Sequence, residues 1–204
     1  MRTLVVGIGG MTNGGKSTMS SSLHLRIPNS CIIAQDAFFK DDSVIALDSN
    51  GFKQYDVLDA LHMDRMMSKI ESWRKDPDSF LASQSLKTQC SVGEEVFVLI
   101  VEGFLIFNYG PLVGLYNLWL MKRTSLWPTF PVIDSSRVYT PPDLPGYFDG
   151  YVWPMYLKNR QEMEDMVLDI VFLDGLESKE GLLDYVYRDV TMEIQRLMGK
   201  DLAV

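Results

Sequence analysis

Histidine and cysteine are scarce in this chain, with two of each among 204 residues. Cys31 and Cys90 stand apart without CxxC spacing, so neither a disulfide framework nor a zinc site is indicated, and a reducing, cytoplasmic setting is expected. His24 and His62 fall on predicted helices without companions at ligand spacing, so neither is assigned to a metal or to catalysis. Positive charge is also short: 19 Lys and Arg against 27 Asp and Glu give a net charge of −8. Binding to a phosphate backbone depends on accumulated Lys and Arg, so no nucleic-acid partner is expected and any anion site must be local. No apolar run reaches the length of about 20 residues that a bilayer requires. The most apolar stretch, VFVLIVEGFLIF, is interrupted by Glu102, and the first residues read as a core strand rather than a signal peptide. No membrane segment is expected. Internal repeats and low-complexity tails are missing too, which suits one domain over residues 1–204.

Short runs rich in Val, Ile and Leu are present at 3–8, 31–34, 96–101 and 169–173, the pattern of strands buried on both faces of a parallel sheet. Helical periodicity separates most of them. Ala60, Met63, Met67 and Ile70 recur at steps of three and four, as do Leu183, Val186, Val190, Ile194 and Leu197. Alternating strands and helices predict an α/β fold with an open parallel sheet, whose ligands sit at the carboxyl ends of the strands. The Pro/Gly-rich stretch YTPPDLPGYFDG (139–150) predicts a loop before a helix starting near Val152.

At the end of the first apolar run stands GMTNGGKST, in which Gly10, Gly15, Lys16 and Ser17 satisfy GxxxxGK[ST] between a strand and a helix. Glycines let backbone N–H groups turn inward around phosphate oxygens, the helix N-terminus adds positive potential, Lys16 reaches the outer phosphates, and the Ser17 hydroxyl suits magnesium. Gly10, Thr12, Asn13, Gly14, Gly15, Lys16, Ser17 and Thr18 are therefore the candidate phosphate-binding residues. A dinucleotide fingerprint begins at Gly7-Ile8-Gly9, but its third glycine would fall on Thr12, and Lys16 would have no role.

A phosphate loop alone allows hydrolysis coupled to motion, a GTPase switch, or transfer to an acceptor. Asp36 follows the second strand run and Glu102 ends the third, so both carboxylates should project at the edge that carries the loop. Asp36 could take a proton from an acceptor hydroxyl while Glu102 supports magnesium. Alternatively, Asp36 caps a helix at AFFK and Glu102 is a strand-end salt-bridge partner. Asp56 precedes an apolar-periodic segment and reads equally as a helix N-cap, with Tyr55 as a staple, or as a carboxylate for sugar hydroxyls beside an aromatic stacking face. Trp153, Met155 and Tyr156 read as core.

With these residues in hand, the chain resembles the nicotinamide riboside kinase family, small P-loop kinases related to uridine and pantothenate kinases. The resemblance runs through GIGGMTNGGKST, QDAFFK, GFKQYDVLDAL, VEGFLIFNY, SRVYTPPDLPGYFDGYVWPMYLKNRQEME and VFLDG. It implies a P-loop sheet flanked by helices with a small lid at roughly 120–150. It also implies ATP and Mg2+ as cofactors, and transfer of phosphate to the 5′-hydroxyl of nicotinamide riboside. By the same resemblance Lys16 is a phosphate ligand, Ser17 and Glu102 are magnesium partners, and Asp36 is the general base. Tyr55 and Tyr139 would enclose the pyridine ring, Asp56 would hold the ribose hydroxyls, and Arg137 would come from the lid to the transferred phosphoryl. A kinase for another nucleoside such as uridine, or an ATP-binding scaffold with a protein partner, are the alternatives.

Two departures accompany the resemblance. Ala37 stands where the family usually has a second aspartate, and residues 118–134, LWLMKRTSLWPTFPVID, differ from the family's segment of buried strand, short helix and arginine-rich lid. Asp134 occupies the place of an expected arginine, and Pro128 and Pro131 argue against a long helix or a central strand in this segment.

Overall fold

The computed structural model describes residues 1–84, 96–123 and 144–199. Strands β1 (Arg2–Gly10), β2 (Ser30–Ala34), β3 (Val96–Gly103), β4 (Leu118–Arg123) and β5 (Val171–Asp174) form one sheet in the order β2-β3-β1-β4-β5, with every neighbouring pair parallel. Helices α1 (Lys16–Arg26), α2 (Met63–Lys75), α3 (Pro77–Ser83), the single turn α4 (Gly110–Val113), α5 (Trp153–Met166) and α6 (Lys179–Leu197) connect and cover the strands. Among the described residues no helix is long and apolar enough to cross a membrane.

Strand alternation divides the core between two faces of the sheet. Leu4, Val6 and Ile8 of β1 and Val98 and Ile100 of β3 pack with Met19 and Leu23 of α1 and Val186 and Val190 of α6. Val5, Leu99 and Val101 point the other way, toward Met66, Ile70 and Trp73 of α2 and Tyr156 and Met163 of α5. Because both faces are covered, every residue of β3 is buried, and its run is continuously apolar up to Glu102.

Three expectations change in detail. Helix α2 begins at Met63, while Ala60 closes a separate 3₁₀ turn (Leu58–Ala60), and the buried stripe is Met63, Met66, Ile70 and Trp73 rather than one through Met67. His62 lies at the N-cap of α2, outside the helix. The larger correction concerns 118–134: its first six residues form β4, an interior strand between β1 and β5 with Leu120 and Met121 buried. Pro128 and Pro131 do not oppose this, because both lie beyond the last residue of the strand and remove no hydrogen bond from its ladder.

Two glycines of β1 have a packing reason. The Phe107 ring lies against the strand, and a Cβ at Gly7 or Gly9 would come within 2.7 or 2.5 Å of it. Among the described residues no three His, Cys, Asp or Glu side chains gather as a metal cluster, and the His24 Nδ1 instead lies 2.8 Å from the Ser30 hydroxyl.

Candidate active site

After Gly10 closes β1, the residues MTNGG turn sharply into α1. Asn13 and Gly15 adopt left-handed backbone, φ 60° and 81°, and the Gly14 N–H donates to the Met11 carbonyl at 3.0 Å. Glycine tolerates this conformation at no steric cost, and asparagine is among the few other residues that visit it. Residue 15 then caps α1 without a side-chain bond, so the N-terminus of the helix opens toward the loop. Lys16 is only 7 % exposed, and its Nζ donates to the Met11 carbonyl at 2.9 Å, folding the cation back over the loop.

Parallel register brings the acidic residues to this same edge. Glu102 pairs across the sheet with Ile8 of β1 and Ala34 of β2, so the ends of three strands lie level beside the loop. Its carboxylate is buried, and the Ser17 hydroxyl donates to Glu102 Oε1 at 2.9 Å. Glu102 thus lies in the interior at the end of its strand rather than on the surface. A hydroxyl and a carboxylate this close form a hard-oxygen pair of the kind magnesium accepts, so the residues present fit that ion. The left-handed turn of the loop likewise fits a phosphate.

Gln35, a residue that sequence reading passed over, holds the second strand end to the third. It is wholly buried, and its Oε1 accepts from the backbone N–H groups of Phe104 and Leu105 at 3.0 and 2.9 Å. The one signal for it was a polar residue closing the apolar run CIIAQ. Close approach here requires glycine at 103, since a Cβ would fall 2.5 Å from Gln35 Cβ and Oε1 and 2.7 Å from Ile106. Gly103→Ala is therefore expected to cost about 1–3 kcal/mol, or several degrees of melting temperature, because neither buried neighbour can yield. Thermal unfolding measures it, and an unchanged midpoint would mean the two strand ends separate easily.

Asp36 follows Gln35 in a 3₁₀ turn (Gln35–Phe38) whose N-cap is Ala34, with no side-chain cap bond. The expectation that Asp36 caps a helix at AFFK is not met, and its side chain is exposed at the edge of the sheet. The N-cap reading of Asp56 fails as well: Val57 is the N-cap of the following 3₁₀ turn, and α2 starts at Met63. Local pattern suggested a cap, but chain direction turns Asp56 inward, where it is 8 % exposed. Tyr55, half-buried, is held by its hydroxyl, which donates to Asp42 Oδ1, and by edge-on packing against Phe39 with ring centroids 5.8 Å apart. Asp42 is itself gripped by Lys53.

Burial pushes the Asp56 carboxyl up to about 7, with Lys16 pulling it down and Asp36 pushing it further up. In an unfolded chain an aspartate titrates near ~3.9. Between these values the folded protein keeps a proton that the unfolded chain has released, so this group lowers stability as pH rises from about 4 to about 7 and adds no further change above. Asp56→Asn should remove that component. The variant is expected to melt above the wild type at pH 8 and close to it at pH 5, and parallel melting curves over this range would show Asp56 ionised throughout.

Asp56 lines a cavity of about 20 Å3 together with Thr12, Phe104, Asn108, Tyr156 and Asn159 among others. That volume suits about one water molecule. Tyr156 is core, as expected, and Trp153 stacks on it at 5.4 Å. Asp134, Arg137 and Tyr139, most of the lid expected at 120–150, and Cys90 lie outside the described residues. Within the described residues, Lys122 of β4 pairs with Gly10 at the start of the loop.

A wholly parallel five-stranded sheet whose first strand runs through GxxxxGKS into a helix defines the P-loop kinase class of fold. No family model matches the chain. It is 48 % identical over 204 residues to nicotinamide riboside kinase 1 of Rattus norvegicus, covering 98 % of this chain and all of that one. Identity to nicotinamide riboside kinase 2 of Homo sapiens is 44 %, over 92 % of this chain and 80 % of the other. The chain belongs to the nicotinamide riboside kinase family. A solved structure from Silicibacter sp. TM1040, named for a fructose transport system kinase, superposes with a TM-score of 0.50 at 15 % identity over 84 % of this chain and 89 % of that one, a likeness of fold alone.

Proposed function

We propose that this chain transfers the terminal phosphoryl group of ATP to the 5′-hydroxyl of nicotinamide riboside, yielding nicotinamide mononucleotide and ADP. The observation that carries the reading is the meeting of Lys16, Asp36 and Asp56 at one sheet edge, where both of the first two act electrostatically on the third. A buried cation for the phosphates, an exposed carboxylate at Asp36 and a buried one at Asp56 suit an alcohol acceptor better than a GTPase switch or a hydrolytic motor. The identity of the nucleoside is supported by the names of the relatives.

In this reading the N–H groups of residues 10–18 and the Lys16 ammonium receive the phosphates. Ser17 and Glu102 would hold magnesium, which when bound spreads the negative charge of the transferred group. Asp56 accepts hydrogen bonds from the ribose hydroxyls, and Tyr55 offers a flat face to the pyridine ring. Asp36 accepts the proton of the 5′-hydroxyl as its oxygen bonds to phosphorus and the bond from phosphorus to the bridging oxygen of ADP breaks, in one in-line displacement. Tyr139 would close the other face of the ring and Arg137 would oppose charge on the transferred phosphoryl.

An ADP-release assay across a panel of nucleosides tests this. Turnover of nicotinamide riboside with little of uridine is the expected result, whereas uridine turnover with silent nicotinamide riboside overturns the substrate. A melting shift with ATP and magnesium but no turnover of any nucleoside would leave a nucleotide-binding scaffold in place of an enzyme.

A further inference from the structure

The segment that carries Tyr55 and Asp56 has little secondary structure of its own. Between the isolated bridge at Leu47 and Lys53 and the 3₁₀ turn at Leu58 it forms neither helix nor strand. Side chains from the region leading into α5 and from α5 itself hold it instead. Asn159 Nδ2 donates to the Asp56 carbonyl at 2.9 Å, and Asn108 Nδ2 donates to the Asn159 carbonyl at 2.7 Å. The Tyr147 hydroxyl donates to the Lys53 carbonyl at 2.9 Å, and the Phe52 and Tyr147 rings meet edge-on at 5.6 Å.

Asn159 is out of keeping with its helix. The buried face of α5 is Tyr156 and Met163, and residue 159 falls between them at steps of three and four, on the same stripe. An apolar side chain would be the ordinary occupant, and asparagine is a weaker helix former than leucine. Its amide is spent on the backbone of Asp56, whose carboxyl feels the charges of Lys16 and Asp36.

We propose that Asn159 is a positioning residue for nucleoside binding: its amide, with Asn108 behind it, fixes the backbone at Asp56 so that the carboxylate meets the acceptor's hydroxyls. This rests on the functional reading above. Phosphate binding by the loop at 10–18 does not pass through Asn159, so the effect falls on one substrate only.

The test is steady-state kinetics of Asn159→Leu, Asn108→Ala and the double variant beside the wild type, with ATP and nicotinamide riboside varied separately. Asn159→Leu should raise the KM for nicotinamide riboside roughly three- to tenfold, the scale of one lost hydrogen bond, with the KM for ATP and kcat near wild type. Asn108→Ala should give a smaller rise. The double variant should be no worse than Asn159→Leu, because the two residues act in series. An unchanged nucleoside KM in Asn159→Leu overturns the proposal, as does a parallel loss in kcat and both KM values with a lower melting temperature. If Asn159→Leu does not fold, Asn108→Ala decides, and a wild-type nucleoside KM there is equally fatal. A wild type that does not phosphorylate nicotinamide riboside overturns the functional reading and this inference together, whereas an active wild type with indifferent variants overturns the inference alone.

Discussion

Replacing Asp36 by asparagine is expected to lower kcat by about 10²–10⁴-fold, the usual worth of a positioned general base, while the KM for ATP stays near wild type. Asparagine keeps the size of the side chain and can still accept a hydrogen bond, but it cannot take the proton of the acceptor. Asp36 is exposed, so the melting temperature should move little. A second consequence is visible without turnover. Asp36 helps push the Asp56 carboxyl upward, so its removal should shift the pH dependence of stability that Asp56 imposes toward lower pH. Unchanged kcat in a well-folded variant would return Asp36 to a purely structural role.

Lys16→Met should reduce kcat about 10²–10³-fold, corresponding to the loss of one preorganised charged donor in a partly enclosed site. Methionine preserves the length and packing of a side chain that is only 7 % exposed. The turn of the loop stays closed by the Gly14 N–H on the Met11 carbonyl, although the lysine's own bond to that carbonyl is lost. Lys16 pulls the Asp56 carboxyl down, so this variant should move the Asp56 titration to higher pH, opposite to Asp36→Asn. Opposite shifts in two variants, read from melting temperature against pH, would show that both charges act on Asp56. Equal or absent shifts would mean that Asp56 is shielded from the loop.

The strand runs, the phosphate loop and the helix at the carboxyl end were legible in the sequence because each is encoded over a few adjacent residues. Gly15, Lys16 and Ser17 report their own backbone turn, and an unbroken apolar run such as 96–101 reports burial on both faces. Asp36 and Glu102 could be placed at one edge, since parallel strands align their carboxyl ends whatever the intervening helices. Sequence could not decide between a cap and an inward carboxylate for Asp56. Both begin with the same residue ahead of an apolar stretch, and the choice depends on where α2 starts, at Met63, and on how deeply packing with distant segments buries the side chain. The strand at Leu118–Arg123 was hidden because two prolines nearby weigh on a whole segment when it is read as one, although only residues inside the ladder need their N–H groups. Gln35 and Asn159 were beyond reach for a further reason. Their partners, Phe104 and Leu105 for the first and Asp56 for the second, lie 69, 70 and 103 residues away, and a hydrogen bond across that separation leaves no periodicity or spacing in the chain. Only the tertiary structure, by closing these distances to about 3 Å, turns such polar side chains into ties between distant stretches of backbone.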